Sequence, residues 1–172
     1  MRPRLRRATA DDAADLATLA ADAFVAAFGH IYRPQDLAAF LAEHKTAEAY
    51  LRTVTDPANA VELAEADGAL AGFCILRLPS EFASRSDASR PIALQQLYTD
   101  PAMTGRGTGT MLMDWALARA RALGCDAVQL SVYSENHGAQ RFYARYGFVK
   151  TADIEFMVGT HRDAEYLFEL RL

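Results

Sequence analysis

Two short stretches of the chain carry residue types suited to chemistry. The first, Asp100 to Leu112, reads DPAMTGRGTGTML and places Gly105, Gly107 and Gly109 at alternate positions, where an apolar segment gives way to a helix-like one. Glycine takes positive φ freely and lets another group approach the backbone, so such a cluster marks a sharp turn or a ligand contact. A P-loop requires G-x-x-x-x-G-K, but counting from Gly105 puts Thr110 at the second glycine and no Lys follows nearby. A dinucleotide fingerprint, G-x-G-x-x-G, fails as well, because Thr110 and Leu112 stand where its third glycine would be. What is left is strand, glycine turn and helix. The amides of Arg106 to Thr110 at that helix N-terminus suit a phosphate or pyrophosphate, with Arg106 adding positive charge, and a tight turn without ligand is the alternative.

The second stretch, Glu135 to Phe148, reads ENHGAQRFYARYGF. Asn136 is well chosen to cap a short amphipathic helix marked by Ala139, Phe142, Tyr143 and Tyr146. Tyr143 lies two turns after Asn136 on the same helical face, so both side chains can point toward one groove. By residue type alone, Tyr143 is a core aromatic beside Phe142 and Tyr146.

These stretches need a scaffold to hold them. With 172 residues, 51% of them hydrophobic and 23% charged, the chain suits a single domain over 1–172 with a sizeable core. Thr9 and Asp12 resemble a capping box, after which Leu16, Leu19, Ala20, Ala23, Phe24 and Ala27 recur at helical spacing to about Phe28, where Gly29 breaks the helix. Leu37, Phe40, Leu41 and His44 predict a second short helix, and Ala47 to Val54 a third. From Ala60 the period changes, and Asp67-Gly68 between two strand-like runs predicts a hairpin. A strand from Ile92 leads to the glycine turn, and a helix from about Gly107 to Leu123 is closed by Gly124. The strand AVQLSVY, the short helix, and strands over about Phe148 to Met157 and Glu165 to Leu170 complete an α+β, mixed α/β order.

Composition excludes several classes. A net charge of -4 argues against broad nucleic-acid affinity, and Arg2, Arg4, Arg6 and Arg7 read as a solvated arm flanking the first strand. Cys74 and Cys125 stand apart without ligand spacing, so buried thiols and no metal are expected. No signal peptide and no apolar run of bilayer length are expected, which points to a cytoplasmic protein with no membrane partner.

Taken together, the two stretches resemble the GNAT superfamily of acetyl-CoA-dependent N-acetyltransferases. That family has a Gln or Arg, two residues, a Gly, one residue and a Gly or Ala at its glycine turn, and Gly107 and Gly109 match the small residues. Thr104 stands where Gln or Arg is usual, with Arg106 as a nearby positive charge. The later pattern N-x-x-A-x-x-F-Y-x-x-x-G-F is matched in full by Asn136, Ala139, Phe142, Tyr143, Gly147 and Phe148. The resemblance implies a central, mostly antiparallel mixed sheet of about seven strands flanked by helices. It further implies that the amides of Gly105, Arg106, Gly107, Thr108, Gly109 and Thr110 hold the pyrophosphate of acetyl-CoA. The pantetheine arm would then pair with Leu97, Tyr98 and Thr99 and bond to Asn136. Tyr143 becomes the general acid, since a phenol of pKa near 10 can return a proton to a departing thiolate, and a backbone N–H near Tyr98 or Thr99 polarises the carbonyl.

A protonated acceptor amine needs a base, and the resemblance leaves it unassigned: LQQLYT offers Gln95 and Gln96 where some relatives carry Glu, and His30 and Glu81 are the candidates. The acceptor is expected near Phe28, His30 and Tyr32, read as a polar-aromatic cluster, and near the loops SEFASRSD and MVGTHRDAE. FGHIYRP and EFMVGTHRD also look loosely similar to bacterial spermidine/spermine N-acetyltransferases. The expected activity is acetyl transfer to the primary amine of a small molecule, such as a polyamine, by a monomer or homodimer. The alternatives are a peptide N-terminal or lysine acetyltransferase, a non-catalytic acetyl-CoA sensor, and a regulator using the arginine arm on nucleic acid.

Overall fold

The structure, a computed structural model, describes residues 2–172. Seven strands form one sheet in the order β1-β2-β3-β4-β5-β7-β6. They are β1 (Arg4–Arg7), β2 (Asn59–Ala66), β3 (Ala69–Arg77), β4 (Pro91–Thr99), β5 (Ala127–Tyr133), β6 (Val149–Val158) and β7 (His161–Arg171). All neighbours are antiparallel except β4 and β5, which are parallel, so the expected mixed sheet is what forms. The β2–β3 hairpin turns at Asp67-Gly68, both at positive φ (53° and 79°), as the Asp-Gly signal predicts.

Alternation along the strands divides the core in two. On one face Leu63, Phe73 and Ile75 pack under α1 (Ala13–Phe28) and α3 (Ala47–Thr55), with α2 (Pro34–His44) beyond them. On the other face Cys74, Leu76, Ile92, Leu94, Val128 and Leu130 pack against α4 (Thr108–Ala122) and α5 (His137–Arg145). Both cysteines are buried and free, and burial pushes each thiol upward, so neither is reactive.

Two expectations need correction. The arginine arm is not simply solvated: Arg4–Arg7 is an edge strand on β2, and Arg6 is held 2.7 Å from both Asp12 and Glu65. The helical run Ala10–Ile31 is also long and apolar enough, by length and composition, to cross a bilayer. Here it is a core helix, because Leu16, Leu19, Ala20 and Phe24 are buried against the sheet and α2.

The sheet does not close evenly. The β4–β5 ladder covers only Pro91–Ala93 with Ala127–Gln129, after which the strands part. A register shift pairs Ile75 with Gln96 but Leu76 with Leu94, leaving Gln95 as a bulge where the ladder ends. Buried Gln129 locks the closed end: it accepts from Ser80 Oγ at 2.6 Å and donates to Glu169 at 3.0 Å and to the Phe82 carbonyl at 3.2 Å.

The β6–β7 hairpin is pinned to α2. Asp36 Oδ1 accepts from the Thr160 amide at 2.9 Å and its hydroxyl at 3.0 Å, while Oδ2 takes Arg33 Nε at 2.8 Å. These donors hold the Asp36 carboxyl down at about 2. Gly159 has φ +57°, and a Cβ there would lie 2.5 Å from Asp36 Oδ1 and 2.8 Å from its Cα. Gly159→Ala should therefore lower the unfolding free energy by about 2 kcal/mol or more, seen as a lower urea midpoint at unchanged m.

Candidate active site

The glycine turn delivers the start of α4 to the mouth of the parted strands. Gly105 and Gly107 both have positive φ (79° and 77°), and Gly107 is the N-cap of α4. The first helical bond runs from the Met111 amide to the Gly107 carbonyl at 3.0 Å, so the amides of Thr108, Gly109 and Thr110 have no intrahelical acceptor. The Thr108 hydroxyl is buried with no hydrogen-bond partner among the described residues. An anion fits this cradle: amides without intrahelical acceptors meet at a helix N-terminus whose first residue carries the orphaned hydroxyl, with Arg106 exposed beside them and 3.4 Å from Asp67.

Gly72 on β3 makes the close approach possible, and sequence reading passed over it. A Cβ there would lie 2.7 Å from the Tyr98 carbonyl and 3.0 Å from Thr108 Cγ2. The available signal was a glycine inside a strand run, which marks a close contact. Gly109 faces Leu97, Thr99 and Phe142, each 3.9 Å from its virtual Cβ, so β4, α4 and α5 meet around it.

On α5, Asn136 Oδ1 accepts from the Ala139 amide at 3.2 Å and caps the helix. Tyr143 is half-buried, with ring centroids 5.5 Å from Phe142 and 5.8 Å from Phe148, and burial pushes its phenol up to about 12. It packs on the α4 side of the sheet. The Tyr98 side chain goes to the other side, edge-on to Phe73 at 5.6 Å. Tyr98 nevertheless lies within electrostatic reach of both Tyr143 and Glu165.

On the α1 side of the gap between β4 and β5, Phe28 and Tyr32 both pack on Phe24, and His30 alone leaves the expected cluster. Phe28 packs edge-on to Tyr133 at 6.1 Å, and Tyr32 is buried, with its hydroxyl donating to Asp163. Burial and that bond push the Tyr32 phenol upward. His30 is exposed and makes no ring contact with either among the described residues. His161 stands edge-on to Tyr32 at 5.2 Å, with Nε2 3.0 Å from Asp163 Oδ1. Two places along β7 from Asp163, Glu165 pairs across from Tyr133, and burial pushes its carboxyl above the ordinary value despite a hydrogen bond from Ser131. A cavity of about 800 Å³ reaches from Glu81 and Phe82 to Asp163 and Ala164. Glu81, one of the candidate bases, accepts from the bulge residue Gln95 at 3.2 Å. Sequence reading had Asp163 and Glu165 inside an acceptor loop without singling them out; their strand spacing, which puts both on one face, was the missed signal.

Lys45 was also passed over. Its buried ammonium is ringed by Tyr98 (5.0 Å), Phe40 (5.7 Å), Phe24 (5.9 Å) and Tyr50 (5.9 Å), with the Tyr50 hydroxyl at 3.4 Å. Burial lowers it to about 8, whereas the unfolded lysine is near 10.5. The unfolded chain therefore binds more protons between those values, and native stability rises with pH across that window. Lys45→Met should stabilise the fold by about 1–3 kcal/mol at pH 7, with the gain shrinking above pH 8, measured by urea unfolding at both pH values.

Comparison with known proteins gives the family and the fold. The acetyltransferase (GNAT) family profile matches residues 20–148, and the chain belongs to that family. An uncharacterised N-acetyltransferase of Mycobacterium tuberculosis is 33% identical over 156 residues, which cover 91% of this chain and 95% of that one. The fold is shared with the PaiA N-acetyltransferase of Thermoplasma acidophilum in complex with coenzyme A (TM-score 0.80, 20% identity, all of both chains). It is shared also with Arabidopsis thaliana NAA60 in complex with acetyl-CoA (TM-score 0.72, 17% identity, 99% of this chain and 98% of that one).

Proposed function

We propose that the protein transfers the acetyl group of acetyl-CoA to the primary amine of a small molecule by direct attack across the gap between β4 and β5. The observation that carries this reading is the buried, unpartnered Thr108 hydroxyl at the glycine-capped start of α4, beside a strand whose ladder has just ended. The amides from Gly105 to Thr110 and the Thr108 hydroxyl hold the pyrophosphate. Leu97, Tyr98 and Thr99 on β4, beyond the end of the β4–β5 ladder, offer backbone groups to the pantetheine arm and an N–H to the thioester carbonyl. Asn136 keeps its side-chain amide for the same arm while its oxygen caps α5.

Acetyl-CoA supplies an activated acyl group, and the chain has to handle two protons. Tyr143 is protonated at neutral pH and returns one to the sulfur. Its raised pKa does not disqualify it, because the same burial raises the thiol it serves. The narrower likeness to spermidine/spermine acetyltransferases is not supported by the relatives above, so the acceptor is proposed as a primary amine. The arginine arm, paired into β1, gives no support to a nucleic-acid role.

Thermal unfolding tests the reading directly. CoA and acetyl-CoA should raise the midpoint while ATP at equal concentration does not; at a hundredfold excess over Kd the stabilisation is about 2.7 kcal/mol. Tyr143→Phe should keep that shift and lose about 100-fold or more in kcat. No shift with any CoA species sinks the assignment.

A further inference from the structure

We propose that the β7 face bearing Asp163 and Glu165 is the acceptor site, that it takes a primary alkylammonium with a flat apolar end, and that Glu165 removes the ammonium proton. This rests on the acetyl-transfer reading above. The two carboxylates occupy alternate positions of one strand, so both face the α1 side, where α1 and the turn after it bring aromatic walls. Tyr32, Phe28 and Tyr133 form those walls, and of the site's residues Asp163 also lines the cavity beside the Glu81 loop. Asp163 is 3% exposed, and its Oδ1 has no hydrogen-bond partner among the described residues, with only His161 Nε2 at ion-pair range. Its negative charge beside the aromatic walls attracts a cation to this face.

The carboxylates divide the work. Asp163 is committed: Tyr32 donates to one oxygen and His161 faces the other, so it positions the cation. Glu165 has one side-chain donor, Ser131, and is otherwise faced by Tyr98 from β4, Tyr133 from β5, Tyr32 from the turn after α1, and Asp163 on its own strand. No cation stands among those neighbours. Burial and Asp163 both push its carboxyl up, which makes it a better proton acceptor than a surface glutamate, and its anionic form is lost as pH falls.

The protons then balance. Glu165 takes one from the ammonium and later gives it to solvent. The freed nitrogen lone pair forms the N–C bond as the C–S bond breaks, sulfur takes the Tyr143 proton, and the second proton leaving nitrogen restores the phenol.

The test compares phenethylamine with its β,β-difluoro analogue, which has nearly the same shape but a far weaker base strength, in wild type and Glu165→Gln at pH 7. For phenethylamine the variant should lose about 100-fold in kcat/KM; for the fluorinated amine, of which about half is already neutral at that pH, it should lose less than about 5-fold. Thermal unfolding of both proteins, with and without acetyl-CoA, reports separately on folding and on cofactor binding. Equal losses on both amines would make Glu165 a shaping residue and overturn the base assignment, as would no loss on either. Wild type that binds acetyl-CoA yet acetylates neither amine overturns the acceptor class while leaving the cofactor reading intact.

Discussion

The short ladder between β4 and β5 is the constraint on which the rest depends. Parallel strands normally continue their slanted bonds as far as both extend, yet here pairing stops at Ala93 and Gln129 although β4 runs on to Thr99 and β5 to Tyr133. The Gln95 bulge bends β4 at that place while antiparallel pairing with β3 continues on its other side. One strand is thus held firmly on one edge and left open on the other. An open edge inside a sheet is a set of backbone donors and acceptors seeking a partner, and two cores of different composition flank it. The Gln129 network at the closed end makes the divergence a fixed hinge point rather than fraying, because Ser80, Phe82 and Glu169 all bond to one buried side chain.

Everything that could do chemistry is gathered by that gap from distant parts of the chain. The α4 start reaches it only because Gly72 lacks a Cβ and Gly107 takes positive φ. Tyr143 arrives from α5 on one face; Tyr32, Tyr133 and Glu165 arrive from three elements on the other. The hairpin carrying Asp163 and Glu165 is in turn set by Asp36 gripping Thr160. A residue of α2 therefore fixes where the carboxylates sit.

The legible parts of the sequence were those with local rules. Asp67-Gly68, the Thr9–Asp12 cap, the helical period of α1 and the glycine-capped start of α4 each follow from neighbours along the chain, and each formed within a residue or two of expectation. The glycine turn and the Asn136 cap of α5 formed where expected because glycine spacing and capping are also local. The pairings around β7 could not be read this way. Asp163 meets Tyr32 across 131 residues of sequence, Thr160 meets Asp36 across 124, and no periodicity announces such pairings. Of Phe28, His30 and Tyr32, only His30 leaves the expected cluster, because the chain after α1 turns as a 3-10 segment that buries Tyr32 and leaves His30 in solvent.

One physical cause, desolvation, gives the two sides of the gap opposite abilities. It raises both Tyr143 and Glu165, with no positive neighbour to counter it at either. For a phenol the shift keeps the proton in place, ready for a thiolate; for a carboxyl it strengthens the base, ready for an ammonium. Elsewhere in the same molecule carboxyls go the other way: Arg6 holds Asp12 down at about 2, and Arg33 with Thr160 does the same for Asp36. Those two are structural, and their donors keep them ionised. Glu165 lacks an arginine of its own, and that absence among its described neighbours, rather than any special feature of the glutamate, separates a base from a brace.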